Sequence, residues 1–281
     1  MSDALNFLHQ GFRLSHIGLG FLGLTAFWIP IFAKKGGPLH IRAGWLFALC
    51  ALYVGTTGLV SSIWALVHPL SFAGIADKQL STVAVAEATA NLRFFFSILG
   101  ILSLAVISGV IFGLQVVRRR ADHERLRNPL LQGTLSALGV GSLAMAGYGF
   151  WNLLLVWNGS HPSTQEFRPY YIHVVLGLLF LLGALLDLSY VLRPRATRMA
   201  WWYKHMECML GAGIAFHTAF LVFGVNRLFA FRLPGAWALL PWVLPSLVGL
   251  PATTLWTRYY RRKFHELTPL VEPVPHASEV P

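Results

Sequence analysis

Seven long apolar blocks constrain this chain more than any other feature of its 281 residues. At about 1.5 Å per residue, a helix of about 20 apolar residues crosses the roughly 30 Å of hydrocarbon in a bilayer. Blocks that are apolar all round, rather than in narrow stripes, are typical of helices in lipid. The sequence therefore predicts an all-α, polytopic transmembrane bundle of seven spans. Their approximate ranges are 14–33, 43–67, 93–117, 130–157, 170–192, 201–224 and 235–257.

The composition agrees with a protein that lies mostly in lipid. Only 12% of the residues are charged and 56% are apolar, whereas a soluble domain carries about 25% charged residues. The blocks leave no room for a soluble domain, so residues 1–267 are predicted to form one membrane domain. The proline-rich remainder, residues 268–281, is predicted to be a disordered cytoplasmic tail. The first block follows no basic segment, which predicts a retained span rather than a signal peptide.

The basic residues predict the orientation of the chain. Sixteen of the 22 Lys and Arg residues fall in alternate connections and the last segment: Lys34, Lys35, Arg42, Arg118, Arg119, Arg120, Arg125, Arg127, Arg193, Arg195, Arg198, Lys204, Arg258, Arg261, Arg262 and Lys263. Because such residues are retained in the cytoplasm, the N-terminus is predicted outside and the C-terminus inside a bacterial inner membrane. The net charge of +11 is assigned to topology and anionic lipid headgroups. No nucleic-acid partner is predicted, since the chain has no basic groove element or recognition motif.

Small residues predict close contacts between helices, because they let backbones approach where lipid offers no hydrophobic drive to associate. Two spans carry such stripes: Gly44, Ala48, Gly55 and Ser62 on the second, and Gly139, Ser142, Ala146 and Gly149 on the fourth. Helix-forming residues precede the third block from Ser81 onward. The third helix is therefore predicted to begin outside the bilayer.

Four histidines are predicted to lie in the outer half of the membrane, on four different spans: His16, His68, His173 and His217. Neutral imidazole is a good ligand for haem iron and for other transition metals. A bis-histidine haem needs two of them on facing helices, and His173 with His16 or His217 is the preferred pair. The alternative is that each histidine hydrogen-bonds a neighbouring helix and only stabilises the bundle.

A second group of polar residues is predicted in the inner half. Asp187 lies on the fifth span, and Glu207 lies on the sixth, where Lys204 shares its helix face three residues away. Ionisable groups at this depth are costly, so Asp187 and Glu207 are candidates for a proton or substrate path. The alternative is an interfacial ion pair, with Asp187 within reach of Arg193 or of the sixth span. His205 belongs to the same end of the sixth span and is a weaker candidate metal ligand.

Two runs resemble a bacterial family of predicted multi-span membrane proteins of unknown function. One is His205-Met206 followed by Gly211-x-x-Ile214-Ala215-x-x-Thr218-Ala219-Phe220; the other is His16…Lys35-Gly36…His40-x-Arg42-x-Gly44. The resemblance covers about a third of the chain. It implies a helical inner-membrane protein in which His16, His40 and His205 are recurrent histidines, and it adds His40 to the candidate metal ligands. The family is expected to carry a small residue at the position of His217, and it implies no particular reaction.

Three functions remain open at this point. The first hypothesis is a redox-linked membrane protein that holds haem b or a transition metal through its histidines and meets a redox partner or a second copy of itself. The second is a transporter of protons or small solutes, with Glu207 and Asp187 on the path. The third is a non-catalytic sensor or assembly factor. The chain has no phosphate-binding loop, His-Glu-x-x-His motif or nucleophile elbow, so the sequence does not assign it an enzymatic reaction.

Overall fold

The computed structural model describes residues 3–76, 78–160, 169–193, 197–225, 228, 233 and 235–266. Its helices are α1 (Asp3–Phe32), α2 (Pro38–Val67), α3 (Pro69–Phe72), α4 (Thr82–Arg118), α5 (Pro129–Trp157), α6 (Tyr171–Leu192), α7 (Ala200–Ala219) and α8 (Leu240–Lys263). A π-helical turn, Phe220–Gly224, extends α7. All of these helices except the short α3 contain a segment long and apolar enough to cross a membrane. The prediction of an all-α bundle with seven spans is confirmed, and the bilayer is its environment. The proposed tail, residues 268–281, and the end of the membrane domain at residue 267 lie outside the described residues.

Helix α4 is the central element of the bundle. It packs against α2, α5 and α7, and half of its spanning segment is buried. Its core side chains, among them Ile98, Leu102, Val106 and Val110, are almost completely excluded from the surface. The other helices surround it as three pairs, α1 with α2, α5 with α6, and α7 with α8. No residue in the spanning window of α8 is buried within the chain, so this helix presents most of its surface to lipid.

The small-residue stripes lie at these helix contacts. A β-carbon at Gly149 would lie 2.6 Å from the His173 β-carbon, and one at Gly177 would lie 2.8 Å from the Ala146 backbone nitrogen. These distances are shorter than carbon and nitrogen atoms tolerate, so α5 and α6 approach closely because both positions lack a side chain. The stripe on α2 behaves similarly at Gly55, which faces Ile107 of α4, whereas Gly44 faces open space.

One end of the bundle, which we call the basic end, gathers the connections that carry most of the Lys and Arg residues. Arg118 lies 5.8 Å from the ring centroid of Trp45, and Arg120 lies 5.5 Å from that of Trp201. Arg127 donates a hydrogen bond to the Leu192 carbonyl at the end of α6. The start of α2, the end of α4, the end of α6 and the start of α7 therefore meet at this end, as the alternation of basic residues predicted.

The beginning of α4 also agrees with the sequence. Ser81 precedes the helix in an extended conformation, and its hydroxyl accepts a hydrogen bond from the Ala84 amide at 3.2 Å. A serine in this position satisfies one of the free amide groups of the first helical turn. The helix then runs for 37 residues, which is longer than a membrane requires.

Orientation can be tested with single cysteines at the two ends. Arg125→Cys at the basic end and Ser160→Cys at the opposite end both place a thiol on an exposed residue. Both native cysteines, Cys50 and Cys208, are buried and serve as the unreactive background. If the positive-inside rule holds, an impermeant maleimide added to intact cells labels Ser160→Cys, and labels Arg125→Cys only after the membrane is opened. The reverse pattern would contradict an outside N-terminus.

Candidate functional site

Three charged side chains meet between α6 and α7 near the basic end, and we call them the charged cluster. The Lys204 ammonium lies 2.9 Å from Asp187 Oδ1 and 3.1 Å from Glu207 Oε2. The exposed fraction rises along the series, from 13% for the Lys204 side chain through 24% for Asp187 to 40% for Glu207. The cluster is therefore closed on the Lys204 side and open on the Glu207 side.

The local sequence explains this arrangement. Lys204 and Glu207 are three residues apart on α7, a spacing that puts two side chains on one helix face. Asp187 lies on α6, and its carboxylate reaches across to Lys204 rather than along its own helix to Arg193. The Lys204 ammonium also lies 5.8 Å from the ring centroid of Phe112 and 5.4 Å from that of Tyr190. These aromatic faces favour a cation, so Lys204 is held in its charged form from several sides.

The charges of the cluster do not balance. With all three groups ionised, two carboxylates share one ammonium, so these three side chains by themselves carry a net charge of −1, and Arg258 and Arg261 of α8 lie on the Glu207 side of the cluster. Binding one proton, or one cation close to Glu207, removes that charge. A proton or substrate path through Asp187 and Glu207 stays a prediction.

Glu207 opens into a cleft of about 370 Å³ between α7 and α8, which we call the α7–α8 cleft. Its wall on α8 is formed by residues at helical spacing, and these are Leu250, Thr253, Thr254, Thr257, Arg258 and Arg261. The sequence reasoning missed this polar face because it assigned the arginines to topology alone. The signal was present, since three threonines and two arginines recur on one side of the last span.

The basic end also holds His205 and His40, the two weaker candidate metal ligands. His205 donates from Nδ1 to the Gly113 carbonyl of α4 at 2.9 Å, and it interacts electrostatically with His40. His40 donates from Nδ1 to the Pro30 carbonyl at 3.1 Å, beside Lys35, which also bonds the end of α1. Desolvation lowers the pKa of the Lys35 ammonium below its ordinary value. The His205 imidazole thus bonds a backbone carbonyl of α4, and the His40 imidazole bonds a backbone carbonyl of α1.

His173 is fully buried among α4, α5 and α6. Its Nε2 lies 2.8 Å from Ser97 Oγ and 3.1 Å from the Phe94 carbonyl, while its Nδ1 is buried with no hydrogen-bond partner among the described residues. The ring centroids of Phe94, Tyr148 and Tyr170 lie 4.7, 5.4 and 5.9 Å away. The imidazole is enclosed by aromatic rings and hydrogen-bonded to two groups of α4, and these bonds hold α6 against α4.

His16 contacts a different part of the bundle. Its Nδ1 bonds Thr57 Oγ1 of α2 at 2.7 Å, next to Gly58 and opposite Ser103 of α4. Ser103 follows Ser97, the partner of His173, by six residues. Six residues of α-helix correspond to about 9 Å of rise and place the two serines on different sides of α4. His16 and His173 therefore do not face one another.

His217 and His68 lie apart from both. His217 donates from Nδ1 to the Gly213 carbonyl, and its ring packs against Phe27 and Trp28 at centroid distances of 5.0 and 5.6 Å. Trp28 follows His16 by twelve residues on α1, which is about 18 Å along the helix. His68 is an exposed residue between α2 and α3. The structure brings no two of the four outer histidines together, and haem ligation by a pair of them stays a prediction.

The side chains that could bind other metal ions are dispersed as well, within the part of the chain that the structure describes. Among the residues that the structure describes, no group of three or more His, Cys, Asp or Glu side chains is arranged to hold a metal ion. Cys208 is a neighbour of the charged cluster on α7, and Cys50 lies on α2. A metal site built from His205 or His40 stays a prediction as well.

Fold and site together define a multi-pass helical membrane protein with a charged cluster at its basic end and, beside it, a cleft that contains charged and hydroxyl side chains. Comparison of the chain with protein families, curated proteins and solved structures finds no match. The resemblance to a bacterial membrane family, drawn from the runs around His205 and His40, stays a prediction.

Proposed function

We propose that this protein transports protons across the membrane and that the charged cluster is its proton site. The observation that carries the proposal is the sharing of one ammonium, Lys204, by two carboxylates, Asp187 and Glu207. A proton on either carboxylate neutralises the cluster and thereby lowers the cost of its position in the membrane. Glu207 is the group that exchanges protons with the medium, because it is the most exposed of the three and lines the α7–α8 cleft.

The proposal places the basic end in the cytoplasm of a bacterial inner membrane, in line with the positive-inside rule. Protons then enter from the cytoplasmic side through the cleft and reach Asp187 through the Lys204 contact. Lys204 acts as a positioning residue, since its ammonium holds both carboxylates within about 3 Å of one point. A change in its partners upon protonation would alter the contact between α6 and α7, which is how proton binding can be coupled to movement of these helices.

The redox hypothesis is the competing proposal. A bis-histidine haem requires two imidazoles facing one iron, whereas His16, His173 and His217 point into three different helix contacts. The carboxylates of Asp187 and Glu207, by contrast, already lie beside one ammonium group, that of Lys204. A visible absorption spectrum of the purified protein separates the two ideas, because a haem band that disappears in His173→Ala would favour electron transfer and contradict the assignment made here.

The proton site is tested by infrared titration of the protein in lipid bilayers. A carboxylic-acid C=O band is expected to appear as pH falls and to change in both Asp187→Asn and Glu207→Gln, because each substitution removes one of the coupled carboxylates. Glu124→Gln is the matched control, since Glu124 is an exposed carboxylate whose ion pair with Arg127 lies in a connection at the basic end. A titrating band that is identical in wild type, Asp187→Asn and Glu207→Gln would overturn the proton site.

Transport itself is tested in proteoliposomes that contain a pH-sensitive dye. An imposed membrane potential is expected to drive proton uptake, and Glu207→Gln is expected to slow it by about a hundredfold, the lower end of the range for loss of a proton-transfer group. Glu124→Gln is expected to retain the wild-type rate. Uptake by wild-type proteoliposomes no faster than by protein-free vesicles would contradict transport and leave a sensor or assembly role.

A further inference from the structure

The α7–α8 cleft presents both signs of charge to whatever occupies it. Glu207 supplies a carboxylate from α7, and Arg258 and Arg261 supply guanidinium groups from α8. A simple anion would be attracted by the arginines and repelled by the glutamate, while a simple cation would meet the opposite combination. A ligand that carries an anionic and a cationic group satisfies both walls at once.

The hydroxyl groups of the cleft add hydrogen-bonding capacity. Thr253 Oγ1 donates to the Gly249 carbonyl at 2.8 Å, and Thr254 Oγ1 donates to the Leu250 carbonyl at 3.0 Å, so both oxygens keep lone pairs that can accept. Thr257 Oγ1 is buried and has no hydrogen-bond partner among the described residues. A buried hydroxyl without a partner is costly in a folded protein. The acceptors that the cleft offers to a ligand are therefore the oxygens of Thr253 and Thr254.

The charged side chains of the cleft have hydrogen-bonding groups that suit such a ligand. Glu207 uses Oε2 to bond Lys204, which leaves its other oxygen for a second donor. The Arg261 guanidinium lies 5.1 Å from the ring centroid of Tyr203, which limits its freedom at the edge of the cleft. Guanidinium groups suit phosphate oxygens because they donate in a planar fork. A carboxylate with nearby hydroxyl acceptors suits a primary ammonium, which has three N–H donors.

The position of the cleft indicates where the ligand comes from. The cleft opens beside exposed apolar residues of α8, which include Leu247, Leu250 and Leu255. Arg258 and Arg261 lie in the last two turns of this helix, beside Arg262 and Lys263, where basic side chains mark the headgroup level of a bilayer. A lipid can place its headgroup in the cleft and its acyl chains along α8 without leaving the membrane.

We infer that the α7–α8 cleft binds a zwitterionic phospholipid whose headgroup carries a phosphate and a primary ammonium. The phosphate bonds Arg258 and Arg261, and the ammonium bonds Glu207 and the threonine hydroxyls. The inference rests on the proposed function only in requiring an ionised Glu207 when the lipid is bound. Protonation of Glu207 would then release the ammonium, so a proton and this headgroup compete for one carboxylate.

Native mass spectrometry of the purified protein, titrated with defined lipids, tests the inference. We expect one phosphatidylethanolamine to be retained per chain, at least about tenfold more tightly than phosphatidylglycerol or phosphatidylcholine, since the first lacks an ammonium and the second lacks ammonium N–H donors. Arg258→Gln is expected to weaken retention of phosphatidylethanolamine by about tenfold. Glu207→Gln is expected to abolish the preference over phosphatidylglycerol. Arg262→Gln is the matched control, because Arg262 lies on the same helix but does not line the cleft.

The outcomes separate this site from the proton site and from other ligands. Equal retention of the three lipids, or equal retention by wild type and Arg258→Gln, would overturn the inference. Competition by soluble phosphoethanolamine at the same concentration as the lipid would overturn the assignment to a membrane lipid. Asp187→Asn is expected to change the infrared carboxyl band but keep lipid retention, whereas Arg258→Gln is expected to lose lipid retention but keep a carboxyl band that titrates. Failure of one proposal is therefore distinguishable from failure of the other.

Discussion

Lys204→Met is expected to lower the free energy of unfolding by about 3–5 kcal/mol, the range for removing one partner of a buried ion pair. The substitution keeps much of the side-chain volume but leaves Asp187 and Glu207 as adjacent carboxylates without their shared cation. Both then carry a desolvation cost, and their mutual repulsion adds to it. Reversible unfolding in mixed micelles, followed by circular dichroism, measures the change.

Two further variants show whether the cluster causes this loss. Lys263→Met also replaces a lysine near an aromatic ring, at 5.9 Å from the Tyr260 centroid, but on an exposed residue, so it is expected to cost less than about 1 kcal/mol. The double variant Lys204→Met with Asp187→Asn is expected to be more stable than Lys204→Met alone, because one of the stranded charges is gone. Equal costs for Lys204→Met and Lys263→Met would show that water solvates the cluster.

Gly149→Ala is expected to destabilise the protein by about 1–3 kcal/mol or more, the range for forcing extra atoms into a packed interior. The added β-carbon would lie 2.6 Å from the His173 β-carbon and 2.9 Å from the Tyr170 carbonyl oxygen. Neither atom can be moved by rotating a side chain. Helices α5 and α6 must therefore separate, and the aromatic enclosure of His173 opens with them. Thermal unfolding monitored by tryptophan fluorescence reports the loss.

Gly147→Ala supplies the matched control for that substitution. It lies two residues away on the same helix, and a β-carbon there meets no atom within 4 Å. Its free energy of unfolding is expected to change by no more than about 0.5 kcal/mol, the range for neutral surface substitutions, so its melting temperature is expected to stay close to that of the wild type. If the two alanine variants unfold at the same temperature, the close contact between α5 and α6 is not a determinant of stability.

Part of the candidate site could be predicted from the sequence. That part depends on spacing within one helix, whereas the rest depends on contacts between helices. The face shared by Lys204 and Glu207 follows from their spacing on one helix, and it is present as predicted. From the sequence, Asp187 can pair either with Arg193 or with a residue of the sixth span, which is α7. Only the packing of α6 beside α7 selects Lys204 as its partner. The α7–α8 cleft requires knowledge of which helix covers which face, so no spacing rule identifies it as a cavity.

The outer histidines show the limit of reasoning from depth alone. A count of residues from the membrane surface places four imidazoles at similar levels, but it does not say which side of each helix faces which neighbour. His16 turns to Thr57, His173 to Ser97, and His217 to the backbone of its own helix. Rotation of a helix about its axis is set by packing against its neighbours, and the levels differ as well, since His217 packs against Trp28, about 18 Å along α1 from His16.

By itself the sequence determined that the chain is a bundle of seven membrane-spanning helices and which connections share an end. Both follow from segment length, apolarity and the distribution of Lys and Arg, which act on each segment separately through its transfer into lipid. The tertiary structure alone decided that α4 is central, that Asp187 joins Lys204 and Glu207, and that α8 completes the cleft beside Glu207. These features depend on contacts between distant segments, where small residues and side-chain shape, rather than hydrophobicity, select the partner of each helix.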